Sequence, residues 1–136
     1  VSEKVLIIDD EKDFLDIIAE RIRARGIDVS TLTSVEDALD MVAEESFDVV
    51  IMDFMMPGMN GFQMLKAIKV KKPEVQIILL SGNVPDEKRI EAKALGALDV
   101  IEKPPDLKEL IAKIKSVKAQ KTVRGKKGRK KKENHD

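Results

Sequence analysis

The chain contains no cysteine, tryptophan or tyrosine, and aromatic residues make up only 3% of its 136 positions. The missing thiols exclude disulfides, thiol nucleophiles and cysteine-based metal sites. The single histidine, His135, stands one residue from the C-terminal end, so histidine-based acid–base or metal chemistry has no partner set to work with. No apolar run approaches the roughly 18 residues needed to cross a membrane, and no signal-peptide pattern opens the chain. The cytoplasm is the expected compartment. With so few rings, the core has to be packed from aliphatic side chains, and hydrophobic residues at 43% supply them in the amount one domain needs.

Net charge is also missing, but only as an average. Residues 118–136 hold nine Lys/Arg against Glu133 and Asp136, a net +7, which leaves −7 on the 117 residues before them. The pattern predicts an acidic globular body over residues 1–118 and a basic, disordered tail over 119–136. The tail run from Arg124 to Lys132 would attract phosphates by charge, so weak nucleic-acid contact is one reading of it. It offers no aromatic for stacking, and a solvated tail or one folded back on the acidic body are the others.

Within the body, apolar strand-like runs alternate with amphipathic stretches. Lys4–Ile8, Ile27–Thr31, Asp48–Asp53, Val75–Leu80 and Leu98–Glu102 read as strands, rich in β-branched residues and bounded by turn formers. Between them, Phe14, Leu15, Ile17, Ile18 and Ile22 stripe a first helix. Ser34 and Asp37 form a candidate capping box for a second, carrying Val35, Ala38, Leu39 and Val42. Phe62, Leu65 and Ile68 face inward on a third. A fourth, Asp86–Leu95, has a thin apolar face of Ile90 and Ala94, with Gly96 as its stop. Leu107, Leu110, Ile111, Ile114 and Val117 stripe the fifth. Five successive βα units imply a doubly wound, five-stranded parallel sheet with helices on both faces.

In such sheets ligands bind outside the carboxyl ends of the strands, and the residues there carry chemistry. The first strand runs into Asp9-Asp10-Glu11, the third into Asp53, the fourth into Ser81 and the fifth into Lys103. Each has an ordinary explanation as a helix cap, a turn residue or a solvated charge. Together they supply carboxylates that repel unless a cation is present, a hydroxyl, and an ammonium for phosphate oxygens. A hard divalent ion such as Mg²⁺ suits that oxygen-only donor set.

Four separated motifs now carry a resemblance: Asp9-Asp10, Asp53 with Met56-Pro57-Gly58-Met59-Asn60-Gly61, Ser81-Gly82, and Lys103-Pro104. In this order the chain closely resembles the bacterial two-component response-regulator receiver domain, of the kind seen in chemotaxis regulators, over residues 1 to 118. The resemblance implies the flavodoxin-like strand order 2-1-3-4-5. It implies that Asp53 takes a phosphoryl group from a histidine kinase, a phosphotransfer protein or a small phosphodonor. Asp10, Asp53 and the Met55 backbone carbonyl would ligate Mg²⁺, with Asp9 assisting through water. Ser81 would be the switch hydroxyl, Lys103 the phosphoryl contact, and Lys103-Pro104 a cis bond.

The implied output runs through the surface of the fourth helix, fifth strand and fifth helix to an unidentified downstream protein, with a phosphorylation-dependent homodimer left open. One position departs from the family pattern. The slot three residues before the lysine is usually Tyr or Phe and here holds Val100. The resemblance implies that Met55 and Asn83 occupy the places that set the hydrolysis rate of the phosphoryl group. Haloacid-dehalogenase-like phosphatases combine similar parts, but carry a second Asp two residues after the nucleophile, where this chain has Met55. A phosphate-cradling loop and a flavin-stacking aromatic are both missing for a flavodoxin-type cofactor.

Overall fold

The computed structural model describes residues 2–58 and 60–117. The strands are β1 (Lys4–Ile8), β2 (Asp28–Leu32), β3 (Val49–Asp53), β4 (Gln76–Ser81) and β5 (Asp99–Glu102). Between them run α1 (Lys12–Arg23), α2 (Ala38–Glu44), α3 (Gly61–Lys71) and α4 (Asp86–Ala94), and residues 107–117 form α5. All strand pairs are parallel, in the order β2-β1-β3-β4-β5. Each strand lies within a residue or so of its expected limits, and the flavodoxin-like topology is as expected. The basic tail lies outside the described residues, and among those described no helix is long and apolar enough to cross a membrane.

Strand side chains alternate between faces, which divides the core in two. On one face Val5, Ile7, Val49, Ile51, Ile78 and Leu80 meet α1 through Leu15, Ile18 and Ile22, and α5 through Leu110, Ile111 and Ile114. On the other, Leu6, Ile8, Val50, Met52, Ile77 and Leu79 meet α2, α3 and α4. Because β1, β3 and β4 are covered on both sides, their sequences are continuous apolar runs rather than alternating ones. Leu65 and Ile68 of α3 are fully buried, and Phe62 is only half-buried at the end of that face.

Three expectations are corrected. Ile17 points outward and is 54% exposed, because the buried stripe of α1 follows Leu15, Ile18, Ala19 and Ile22. On α4, Ile90 and Ala94 are exposed, and Ala92 is the residue that meets the sheet. A methyl group there lets the helix backbone sit close, so the small residue, not the large one, marks the inner face. The Ser34/Asp37 capping box does not form: α2 begins only at Ala38, and Asp37 makes no side-chain cap bond. Gly96 does end α4, in the left-handed region at φ 110°.

Candidate functional site

Strand register brings the acids together. Ile8 pairs with Met52, so Asp9, the next residue, arrives level with Asp53. Asp53 pairs with Leu80, which sets Ser81 one step further along the same rim. Ser81 pairs with Glu102, and its carbonyl accepts a hydrogen bond from the Lys103 amide at 2.8 Å. The Lys103-Pro104 bond is cis, as expected.

Asp9, Asp10 and Asp53 each present an oxygen within 4.8 Å of the others, Asp9 and Asp53 buried and Asp10 exposed. Lys103 Nζ reaches into the cluster, 2.8 Å from Asp9 Oδ2, 3.2 Å from Asp53 Oδ2 and 2.6 Å from Glu11 Oε1. Its ammonium also lies 4.6 Å from the centre of the Phe14 ring. Burial alone would depress the Lys103 pKa, but the close carboxylates of Asp9, Glu11 and Asp53 outweigh it and hold the group well above the usual lysine range. Burial pushes Asp9 above the usual carboxyl range, against the opposing pull of Lys103 and of the Glu11 amide.

Asp9 Oδ1 accepts the Glu11 amide at 2.8 Å, while Oδ2 is fully buried and has no hydrogen-bond donor directed at it. Its contact with Lys103 is therefore one of charge and not of a well-aligned bond. A buried oxygen in that condition, beside two further carboxylates, fits a hard divalent cation; Asp9, Asp10 and Asp53 are the side chains that could hold it.

The loop after Asp53 is fixed by its own bonds. The Met55 amide donates to Asp53 Oδ1 at 2.9 Å, and the Phe54 amide to the Leu80 carbonyl at 2.8 Å. Asn60 caps α3 through the amides of Phe62 and Gln63. At Gly61 a Cβ would stand 2.7 Å from the Phe54 ring and 2.9 Å from its carbonyl oxygen, so only glycine lets the loop close. The Met55 side chain is 70% exposed and Asn83 is exposed, while Val100 and Ser81 are buried at 2% each.

The sequence expectations thus find Asp9, Asp10, Asp53, Ser81 and Lys103 along one rim. They missed the contacts that Glu11 and Phe14 make with Lys103, whose long side chain reaches from the end of β5 to the start of α1. They missed also the Phe54–Phe62 edge-to-face pair, with ring centres 5.0 Å apart.

The sequence model of the response regulator receiver domain matches residues 5–115. The chain belongs to this family. The fold agrees with solved receiver domains. One from Clostridium thermocellum is 32% identical, covering 89% of this chain and 98% of its own, with a TM-score of 0.83. The Francisella response regulator 1452 receiver domain is 28% identical over 88% and 99%, at 0.82. The BeF3-activated DrrB receiver domain, DrrB being a Thermotoga maritima protein, is 31% identical over 86% and 97%, at 0.76. Receiver domains are signalling modules that bind Mg²⁺ at an acidic pocket and work with histidine kinases or phosphotransfer proteins. This chain carries an acidic cluster of Asp9, Asp10 and Asp53.

Proposed function

We propose that residues 1–118 act as a cytoplasmic phospho-accepting receiver, with Asp53 as the acceptor and the tail 119–136 a separate element. The observation that carries this reading is the convergence of Lys103, Asp9 and Asp10 on the Asp53 carboxylate. An Asp53 oxygen attacks the phosphorus of a phosphohistidine or a small phosphodonor. The new O–P bond forms as the donor's P–N or P–O bond breaks, and the electron pair leaves with the donor. Asp10, Asp53 and the Met55 carbonyl, with Asp9 behind, would hold Mg²⁺, which when bound would supply charge neutralisation for the acids and the phosphoryl oxygens.

The protein's own groups do the rest. Lys103, already 3.2 Å from Asp53, follows the added charge onto a phosphoryl oxygen and loosens from Asp9 and Glu11. Ser81 turns its hydroxyl to the same group. The Lys103 amide is bonded to the Ser81 carbonyl, so the two movements are joined, and they displace the face made by α4, β5 and α5. That face would meet the downstream protein or a second phosphorylated copy. A largely apolar groove of about 190 Å³ beside Pro104, lined by Phe14, Ile17, Ile18, Arg21, Pro105 and Leu107, has room for apolar side chains from the helix of a phosphotransfer partner.

Exposure to beryllofluoride or acetyl phosphate, with and without Mg²⁺, tests the assignment. Labelling should require both Mg²⁺ and Asp53; an Asp53→Asn protein that labels like wild type refutes it. The suggested nucleic-acid contact falls on the tail, outside the described residues, and no observation favours it.

A further inference from the structure

A receiver with Val100 in the β5 aromatic slot needs another way to tie α4 to the acceptor loop, and two consecutive residues of α4 provide one. The Lys88 ammonium sits 5.4 Å from the centre of the Phe62 ring, with Glu91 3.8 Å away as its ion-pair neighbour. The Arg89 guanidinium turns the other way and donates to the Val100 carbonyl. The first turns of α4 are thereby gripped between the start of α3 and β5.

Phe62 is in turn fixed to the acceptor. Its ring packs edge-to-face on Phe54, the residue after Asp53. Phe54 cannot drift independently: its amide is bonded to β4 and its ring is seated on Gly61. The Met55 amide, bonded to Asp53 Oδ1, carries any change at that carboxylate into the same loop. Phe54, Phe62 and Lys88 also line one open cleft of about 300 Å³ with Met55, so the relay borders solvent and has room to shift.

We propose that the Asp53–Phe54–Phe62–Lys88 chain, with Arg89 as its anchor on β5, couples the acceptor to α4 in this protein. It does so in place of a rotating β5 aromatic. The inference rests on Asp53 being the acceptor, and its physical content is a set of contacts that α4 keeps or loses as a unit. Lys88 and Phe62 act as positioning residues; neither touches the reacting atoms.

The test uses amide NMR spectra of the full 136-residue chain, with Mg²⁺ alone and with Mg²⁺ plus beryllofluoride. The proteins compared are wild type, Lys88→Gln, Phe62→Leu and Arg89→Gln. Lys88 is exposed, so Lys88→Gln keeps the fold and remains decisive even if Phe62→Leu is unstable. Amides 54–56 should respond to beryllofluoride in every variant. Those of 88–94 should respond in wild type and shift by less than about half as much once the link is cut. A full α4 response in Lys88→Gln overturns the coupling while leaving the acceptor assignment intact. No response anywhere in wild type removes the acceptor assignment, and the coupling with it.

Discussion

Replacing Lys103 by methionine isolates what one cation does for three carboxylates. The side chain stays unbranched, one heavy atom shorter, and loses its charge together with its N–H donors. In the wild type the Lys103 side chain is 12% exposed, that of Asp9 0% and that of Asp53 9%, whereas Glu11 is 65% exposed. The Glu11 pair is screened and contributes under about 1 kcal/mol. The buried pairs matter more, since removing one partner of a buried pair costs about 3–5 kcal/mol. Asp9 keeps the Glu11 amide and can recover part of the loss by binding a proton, so Lys103→Met should be destabilised by roughly 2–4 kcal/mol at neutral pH without divalent ions.

The pH dependence has a definite sign. The Asp9 pKa is already raised in the folded state, and losing Lys103 raises it further. A carboxyl group with a raised folded pKa favours folding in acid and loses that contribution as pH climbs through the folded value. The deficit of the variant should therefore narrow as pH falls from neutrality toward the ordinary carboxyl range. Lys103 itself stays charged throughout this window, because its own pKa is raised. Urea titrations in EDTA at several pH values measure the gap, and Mg²⁺ at a hundred times its Kd should return about 2.7 kcal/mol. Equal stability at neutral pH without metal, or a gap that widens in acid, would refute the reasoning.

Gly61→Ala should lower stability by about 1–3 kcal/mol in thermal melts, since the added carbon meets Phe54 backbone as well as ring. Asp99 pairs with Lys113 at 2.7 Å and Lys93 at 3.6 Å. Burial works to raise the Asp99 pKa, but its hydrogen bonds and these lysines together lower it. Asp99→Asn should thus cost about 1 kcal/mol at neutral pH, and that difference should vanish as pH falls below the ordinary carboxyl value, followed by urea denaturation. Met55→Asn, at an exposed position beside the acceptor, should let water be held near phosphorylated Asp53 and speed loss of the label several-fold, about 1 kcal/mol of barrier, in a decay assay at fixed Mg²⁺.

Strands buried on both faces were the easiest part of the fold to read, because period and length agree there: Val49–Met52 is apolar at every position and every one is buried. The rim followed from them, since a residue that ends such a strand can only emerge at one end of the sheet. Helix faces were harder where apolar residues are sparse. In α4 the large Ile90 lost the inner position to Ala92, a choice made by how closely the backbone approaches the sheet and invisible to a stripe of hydrophobicity. The capping box failed because the chain turns through residues 33–37 before the helix begins. The several contacts of Lys103 needed the register of β4 and β5 and the path of α1, which no local pattern contains.

The register has a consequence for how the domain is made. Asp9, Asp53 and Lys103 come from the beginning, middle and end of the sheet's sequence, and β5, the edge strand that delivers the lysine, is the last to be synthesised. Until that strand docks on β4, Asp9 and Asp53 are two acids facing each other without their ammonium. A chain interrupted before residue 103 carries Asp53 but lacks the ammonium that pairs with it. If Asp53 is the acceptor, as proposed, its full set of partners is in place only once the whole sheet has closed.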